Sequence, residues 1–181
     1  MKVTETKLKG CFILEPRVFE DERGYFFESF NHKAFCKAIG QEVNFVQDNQ
    51  SFSNKGVLRG LHFQKGKHAQ AKLVRVLKGR VLDVAVDLRQ DSETYGQHVS
   101  VELTSDNNKQ LFIPRGFAHG FVVLSDTAKF IYKCDNYYCK MSEGGIRFDT
   151  PELKIDWKLE QKDLLLSEKD KILPTALQPL T

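Results

Sequence analysis

The 181-residue sequence has no run of lysine and arginine and no basic heptad, and its net charge is only +3. That excludes the phosphate-tracking stripe of a nucleic-acid-binding protein, although single basic groups remain able to grip one anionic ligand. No apolar stretch is long enough to cross a bilayer. The segment MKVTETKLKGCFILEP has neither the apolar core nor the small-residue cleavage site of a secretory signal. A cytoplasmic protein with no membrane partner is expected. Linkers rich in proline, glycine and serine, repeats and low-complexity tracts are also missing, so residues 1–181 read as one domain. The four cysteines, Cys11, Cys36, Cys134 and Cys139, never take the Cys-x-x-Cys spacing of a zinc or redox pair. They read as reduced core fillers.

What is present is ordinary globular composition, 41% hydrophobic and 28% charged, in a chain long enough for a substantial core. Short apolar runs alternate with turn residues: DERG (21–24), SNKG (53–56), LKGR (77–80), TSDNN (104–108) and LSDT (124–127). Their spacing is that of β-hairpins. In RVLDVAVDLR, Leu82, Val84, Val86 and Leu88 fall on one face, which reads as core. Val81, Asp83, Ala85, Asp87 and Arg89 fall on the other, a face that carries carboxylates. NHKAFCKAIG reads as a helix capped by Asn31 and stopped by Gly40, with Phe35, Ala38 and Ile39 inward, covering an open end. LLLSEKDK suggests an apolar strand and then a short serine-capped turn. Many short strands with few helices fit an all-β, double-sheet jelly roll with a few short peripheral helices, a shape that often holds a ligand inside.

Two segments concentrate polar groups in apolar surroundings. GVLRGLHFQ carries Arg59 and His62, and IPRGFAHGF carries a Pro-x-Gly-x-x-His turn, Pro114, Gly116 and His119. Metal-binding jelly rolls of the cupin type place His-x-His and a nearby glutamate in the first segment. Here it reads His62-Phe63-Gln64 with no glutamate at the expected interval. A catalytic metal needs about three protein ligands, so none is expected. An imidazole without a metal is a general base, or else an ordinary hydrogen-bonded core histidine. His32, His68 and His98, in loop-like or helical surroundings, take the ordinary reading. On a regular strand Arg59 and His62 lie on opposite faces, and a bulge at Gly60 would bring them together.

AKLVRV follows, and a hairpin pairing it with the His62 strand would bring the Lys72 ammonium near His62, where it would steady a developing enolate oxygen. The ordinary alternative is an exposed lysine at a strand end. KFIYKCDNYYC supplies Tyr132, Tyr137 and Tyr138, able either to donate a proton or stack on a ring, or simply to pack.

Taken with ILEPRVFEDERGYFFESFN, FVQDNQSFSNKG, GGIRFDTPELKIDW and LLSEKD, these segments closely resemble the dTDP-4-dehydrorhamnose 3,5-epimerase family, in order and over nearly the whole chain. The resemblance implies a cupin fold, no cofactor and a nucleotide-sugar substrate. It also implies a homodimer in which the DERG region reaches a neighbour's site. His62 would be the base, paired with Asp170, Lys72 would stabilise the enolate, and Tyr132 would be the acid on the opposite face. Arg23, Glu28, Gln47, Asp48, Asn49, Arg59, His119, Glu143 and Lys169 would hold the substrate, with Tyr138 stacked on the thymine. The sequence departs from the family pattern at Gln50, where histidine is common, at Phe63 for tyrosine and at Ala71 for glycine. None of these removes a catalytic group. The rival readings are an enzyme that inverts carbon 3 alone, a metal-dependent cupin oxygenase, and a non-catalytic nucleotide-sugar-binding module.

Overall fold

The structure, a computed structural model, describes residues 1–177. Thirteen strands run along the described residues: β1 Lys2–Glu5, β2 Phe12–Glu15, β3 Phe19–Asp21, β4 Gly24–Phe26, β5 Gln47–Asn54, β6 Leu58–Gln64 and β7 Lys72–Lys78. Then come β8 Arg80–Asp87, β9 His98–Thr104, β10 Gln110–Ile113, β11 Phe117–Val123, β12 Thr127–Cys134 and β13 Glu143–Gly145. Helix α1 covers His32–Ile39, and the single turn α2 covers Glu168–Lys171. One sheet has the order β1-β2-β10-β7-β12-β5, the other β13-β6-β11-β8-β9, and β3 and β4 form a separate hairpin. Two sheets with short peripheral helices are the jelly roll expected. Among the described residues no helix is long and apolar enough to cross a membrane.

The turns fall where the sequence places them, but four of the five do a different job. Only DERG closes a hairpin, between β3 and β4. SNKG, LKGR, TSDNN and LSDT each carry the chain from one sheet to the other, because β5, β7, β10 and β12 belong to one sheet and β6, β8, β9 and β11 to its partner. Gly and Asn set a reversal of direction, and a reversal is equally compatible with pairing to the next strand or crossing above it.

Both faces of β8 are buried, which corrects the reading of one face as core. Leu82, Val84, Val86 and Leu88 pack outward against Ile146, Phe148, Leu153 and Trp157 of the C-terminal segment. Val81 and Ala85 face inward and share a cluster with Val74, Leu111, Ile113 and Phe130 of the opposite sheet. The carboxylates of Asp83 and Asp87 therefore point inward and are fully buried. Helix α1 is capped as expected, with the Asn31 side chain accepting from the Ala34 amide and Gly40 left-handed at φ 72°. It buries Phe35, Cys36 and Ile39, not Ala38, against Leu14, Leu73 and Phe112. Those residues lie on the outer face of the six-stranded sheet, so α1 covers a face rather than an open end. Three cysteines are buried as expected, but Cys139 is half exposed.

Asp87 ties down the loop after β8. It accepts from the Arg89 amide, Nε and Nη2 at 3.0, 2.9 and 2.7 Å, and from the Ser92 and Thr94 hydroxyls at 2.6 and 2.7 Å. Arg89 also reaches the Lys9 carbonyl at 2.9 Å. Burial raises the Asp87 pKa, but these donors outweigh it and hold the carboxyl at about 2. The folded value lies below the ordinary one, so this stabilisation is complete above about pH 4 and is lost as the pH falls towards 2. Asp87→Asn is expected to cost on the order of 2 kcal/mol at pH 7 and to flatten the loss of stability between pH 4 and pH 2. Denaturant unfolding of both proteins across that range checks it.

Candidate active site

The cavity between the sheets is built around one irregularity. β11 pairs with β6 through His119↔His62 and Phe121↔Arg59, so the register shifts between them. Gly60 sits at the shift with φ 124°. A Cβ on Gly60 would lie 2.6 Å from the Gly120 Cα and 2.8 Å from the His119 carbonyl oxygen, so only glycine permits the approach. The expected bulge is present, and its effect is a change of face. Leu58 and Leu61 both pack outward in the C-terminal cluster, while Arg59 and His62 both line a cavity of about 330 Å³. Lys72, His119, Tyr132, Lys169 and Asp170 line the same space.

Asp170 comes from the far end of the chain. Leu165 docks on the strand edge, its amide donating to the Gly56 carbonyl at 2.8 Å and its carbonyl accepting from Leu58 at 3.0 Å. Ser167 then caps α2, accepting from the Asp170 amide at 3.1 Å. The result is a 2.6 Å hydrogen bond between His62 Nε2 and Asp170 Oδ1 across 108 residues of sequence. Burial raises the Asp170 pKa, but hydrogen bonds from His62, Ser167 and the Gly60 amide bring it below the ordinary carboxylate value. A carboxylate so held fixes the orientation of the His62 ring.

Lys72 and Tyr132 reach the cavity from the opposite sheet, on β7 and β12, with the Lys72 Nζ 5.8 Å from the Tyr132 ring centre. The anticipated β6–β7 hairpin does not exist. The turn at Gly66–His68 carries the chain across to the other sheet, and Lys72 faces His62 over the cavity instead of lying beside it. Burial lowers the Lys72 pKa, against the pull of Cys134, Asp83 and Glu143. Burial raises that of Tyr132, keeping its hydroxyl protonated at neutral pH.

The sequence reading missed Asp83. It lies inside the barrel and accepts from His119 Nε2 at 3.0 Å, a second histidine–carboxylate pair. Burial lowers the His119 pKa, and Asp83 opposes that shift. The available signal was that Asp83 shares its strand face with Val81 and Ala85. At the mouth, Glu143 accepts from the Tyr138 hydroxyl at 2.9 Å and pairs with Lys169. Its carboxyl, raised by burial, is brought below the usual range by these two donors. Gln47, Asn49 and Tyr138 line the adjoining space of about 270 Å³, together with His62, Lys72 and Tyr132.

Three expected substrate residues lie elsewhere. Strand alternation turns Asp48 outward from β5, where Lys133 holds it at 3.0 Å. Arg23 sits in the exposed β3–β4 turn, gripped by Asp21, and Glu28 accepts from Asn31 at 3.1 Å. Among the described residues of one chain, none of the three lines the cavity around His62. His98 lies on β9 rather than in a loop. Tyr137 is exposed and lines neither space.

A jelly roll that gathers histidine–carboxylate pairs, a lysine and a tyrosine on facing walls of its interior has the cupin type of architecture. The family described as dTDP-4-dehydrorhamnose 3,5-epimerase matches residues 5–178. A dTDP-4-dehydrorhamnose 3,5-epimerase of Salmonella typhimurium is 53% identical over 99% of this chain and 98% of its own length. A crystal structure of the Elizabethkingia anophelis dTDP-4-dehydrorhamnose 3,5-epimerase superposes with TM-score 0.93 at 60% identity, covering 96% of this chain and 95% of that one. A Legionella pneumophila dTDP-6-deoxy-D-glucose-3,5-epimerase, solved in complex with dTDP-4-keto-L-rhamnose, gives TM-score 0.91 at 46% identity over 99% and 98% of the two chains. The chain belongs to the dTDP-4-dehydrorhamnose 3,5-epimerase family.

Gly60→Ala is expected to lower stability by about 2–4 kcal/mol, through the left-handed conformation and the clash with β11, and to displace both Arg59 and His62. Gly66→Ala, with positive φ but nothing within 4 Å of the new Cβ, is expected to cost only about 1 kcal/mol. Denaturant midpoints of the two variants check this, and equal losses would mean that the contact with Gly120 is not the constraint.

Proposed function

We propose that the chain inverts carbons 3 and 5 of dTDP-4-dehydro-6-deoxy-D-glucose to give dTDP-4-dehydro-L-rhamnose, acting as one domain to which both sheets contribute. The observation that carries this reading is the placement of the two proton-transfer groups on opposite walls, His62 on β6 and Tyr132 on β12. Carbons 3 and 5 both flank the ketone at carbon 4, so removing a proton from either gives an enolate. Inversion needs the proton to leave on one face and return on the other. His62 takes the proton through the ring nitrogen that Asp170 leaves free, and Lys72 stabilises the negative charge that develops on the carbonyl oxygen. Tyr132 returns a proton to the far face. No cofactor enters the reaction, since proton transfer alone accomplishes it.

Arg59 and Lys169 hold the diphosphate, Tyr138 stacks on the thymine, and Gln47, Asn49, His119 and Glu143 orient the remainder. Glu28 and Asp48 line hollows on the outside of the six-stranded sheet, and Arg23 lies in the β3–β4 turn, whose strands carry the exposed Phe19, Tyr25 and Phe26. That arrangement fits a homodimer in which the β3–β4 hairpin of one copy completes the site of the other. Four free cysteines fit a reducing cytoplasm.

In heavy water with the 4-keto sugar, His62→Asn is expected to abolish both deuterium uptake and inversion at carbon 3, down to a trace. Tyr132→Phe is expected to retain exchange while losing inversion, because the proton then returns from the side it left. General acid–base contributions of about 10²–10⁴-fold make both losses measurable by proton NMR. Inversion by Tyr132→Phe at near wild-type rate would remove the tyrosine from its role, and free exchange by His62→Asn would place the base elsewhere.

Lys72→Met is expected to lower kcat by at least about 10²-fold while changing dTDP affinity little, since its charge acts where the enolate forms. Comparable losses in kcat and in dTDP binding, measured by steady-state kinetics and calorimetry, would make Lys72 a binding residue.

A further inference from the structure

Outside the cavity, α1 and the turn that follows it bring together an imidazole, a thiol and a carboxylate. His32 and Cys36 are one helical turn apart and share a face. Gly40 ends the helix in the left-handed region, and the chain turns back so that Glu42 reaches His32, Oε1 to Nε2 at 2.7 Å. The Cys36 Sγ lies 3.9 Å from His32 Nδ1 and 4.0 Å from Nε2. One donor atom from each of the three side chains falls within 4.8 Å of the others. None of these residues lines the cavity around His62.

We propose that His32, Cys36 and Glu42 bind a divalent cation of the zinc class. The donor set is the first argument: nitrogen, sulfur and carboxylate oxygen together suit zinc, whereas magnesium and calcium take oxygen alone. Spacing is the second. Bonds of about 2.0–2.3 Å at a tetrahedral centre put the donor atoms about 3.3–3.6 Å apart, and the observed separations lie on either side of that range. Binding opens the His32–Glu42 contact and closes the others, and both side chains are exposed and free to turn. The third is charge: a thiolate and a carboxylate neutralise the dication, so it enters a half-buried site without a net charge to desolvate. Cys36 is itself buried, and its sulfur is held in place by Val43, whose amide donates to it at 3.5 Å and whose carbonyl accepts from the thiol at 3.7 Å. Exposure of His32 and Glu42 leaves the fourth position to water. On binding, the thiol proton passes to solvent and a sulfur–metal bond replaces it, so affinity rises with pH.

Such an ion braces the turn between α1 and β5. Phe45, which follows the turn, packs on Phe30 and Phe35, and β5 then begins at Gln47. The role is structural, since the cluster has no access to the enolate chemistry.

The test uses the full chain, stripped with a chelator and titrated with cobalt(II) and with zinc(II) against a chromophoric competitor. One equivalent per chain is expected, with a thiolate-to-cobalt charge-transfer band and tetrahedral d–d absorption. Cys36→Ser is expected to abolish the band, and His32→Gln and Glu42→Gln each to weaken zinc binding at least about tenfold. The two surface variants decide the matter if Cys36→Ser does not fold. Zinc is also expected to raise the melting temperature of the wild type and not of Glu42→Gln. Absence of stoichiometric binding, wild-type affinity in both surface variants, or a band that survives Cys36→Ser and vanishes in Cys134→Ser would each overturn the proposal. The last outcome would place the metal in the cavity beside Lys72.

Discussion

The close approach of β6 and β11 at Gly60 and Gly120 is the constraint on which the site depends. Two strands in register alternate their side chains, and a strand that kept its alternation through Gly60 would send either Arg59 or His62 outward. At this point the backbones come near enough that a Cβ on Gly60 would overlap Gly120, and one on Gly120 would lie 2.5 Å from the Arg59 carbonyl oxygen. With both side chains reduced to hydrogen, the register slips. Leu58 and Leu61 then serve the outer core while Arg59 and His62 serve the cavity. The same slip exposes the Gly60 amide to Asp170, so a single irregularity in the backbone also supplies part of the carboxylate's support.

Placing charged groups inside a barrel is costly unless each has a partner. Here the partners come in facing sets. His62 has Asp170, His119 has Asp83, and the Lys72 ammonium feels Asp83, Glu143 and Cys134. No buried side-chain nitrogen or oxygen among the described residues lacks a hydrogen-bond partner. Apolar residues complete the walls of the same cavity, Phe121 stacking on Phe130 with ring centres 4.2 Å apart. Histidines paired in this way are fixed in orientation.

Much of this was legible in the residues. Alternation identified β8, turn residues marked five of the reversals, Asn31 and Gly40 bounded α1, and Ser167 announced the turn that carries Asp170. The presence of His62, Lys72, Tyr132 and Asp170 in segments of known family pattern pointed to their common use. The errors were also systematic. A face carrying Asp83 and Asp87 was read as outside the core because carboxylates are seldom fully buried. On β5, Asp48 points away from the cavity that Gln47 and Asn49 line, as adjacent residues on a strand do.

Sequence alone determined the local conformations, since turn propensity, helix capping and strand alternation act between residues a few positions apart. It determined the chemistry available as well, because side-chain types are its direct content. Tertiary structure decided which sheet each strand joined, because a turn of given geometry allows either a hairpin or a crossing. It also decided which carboxylate met which histidine. Asp170 reaches His62 only when the C-terminal segment docks beside β6, and Asp83 reaches His119 only when β8 and β11 pair. Those meetings join residues 108 and 36 positions apart, and such contacts are set by the packing of two sheets around one core, where no local preference acts.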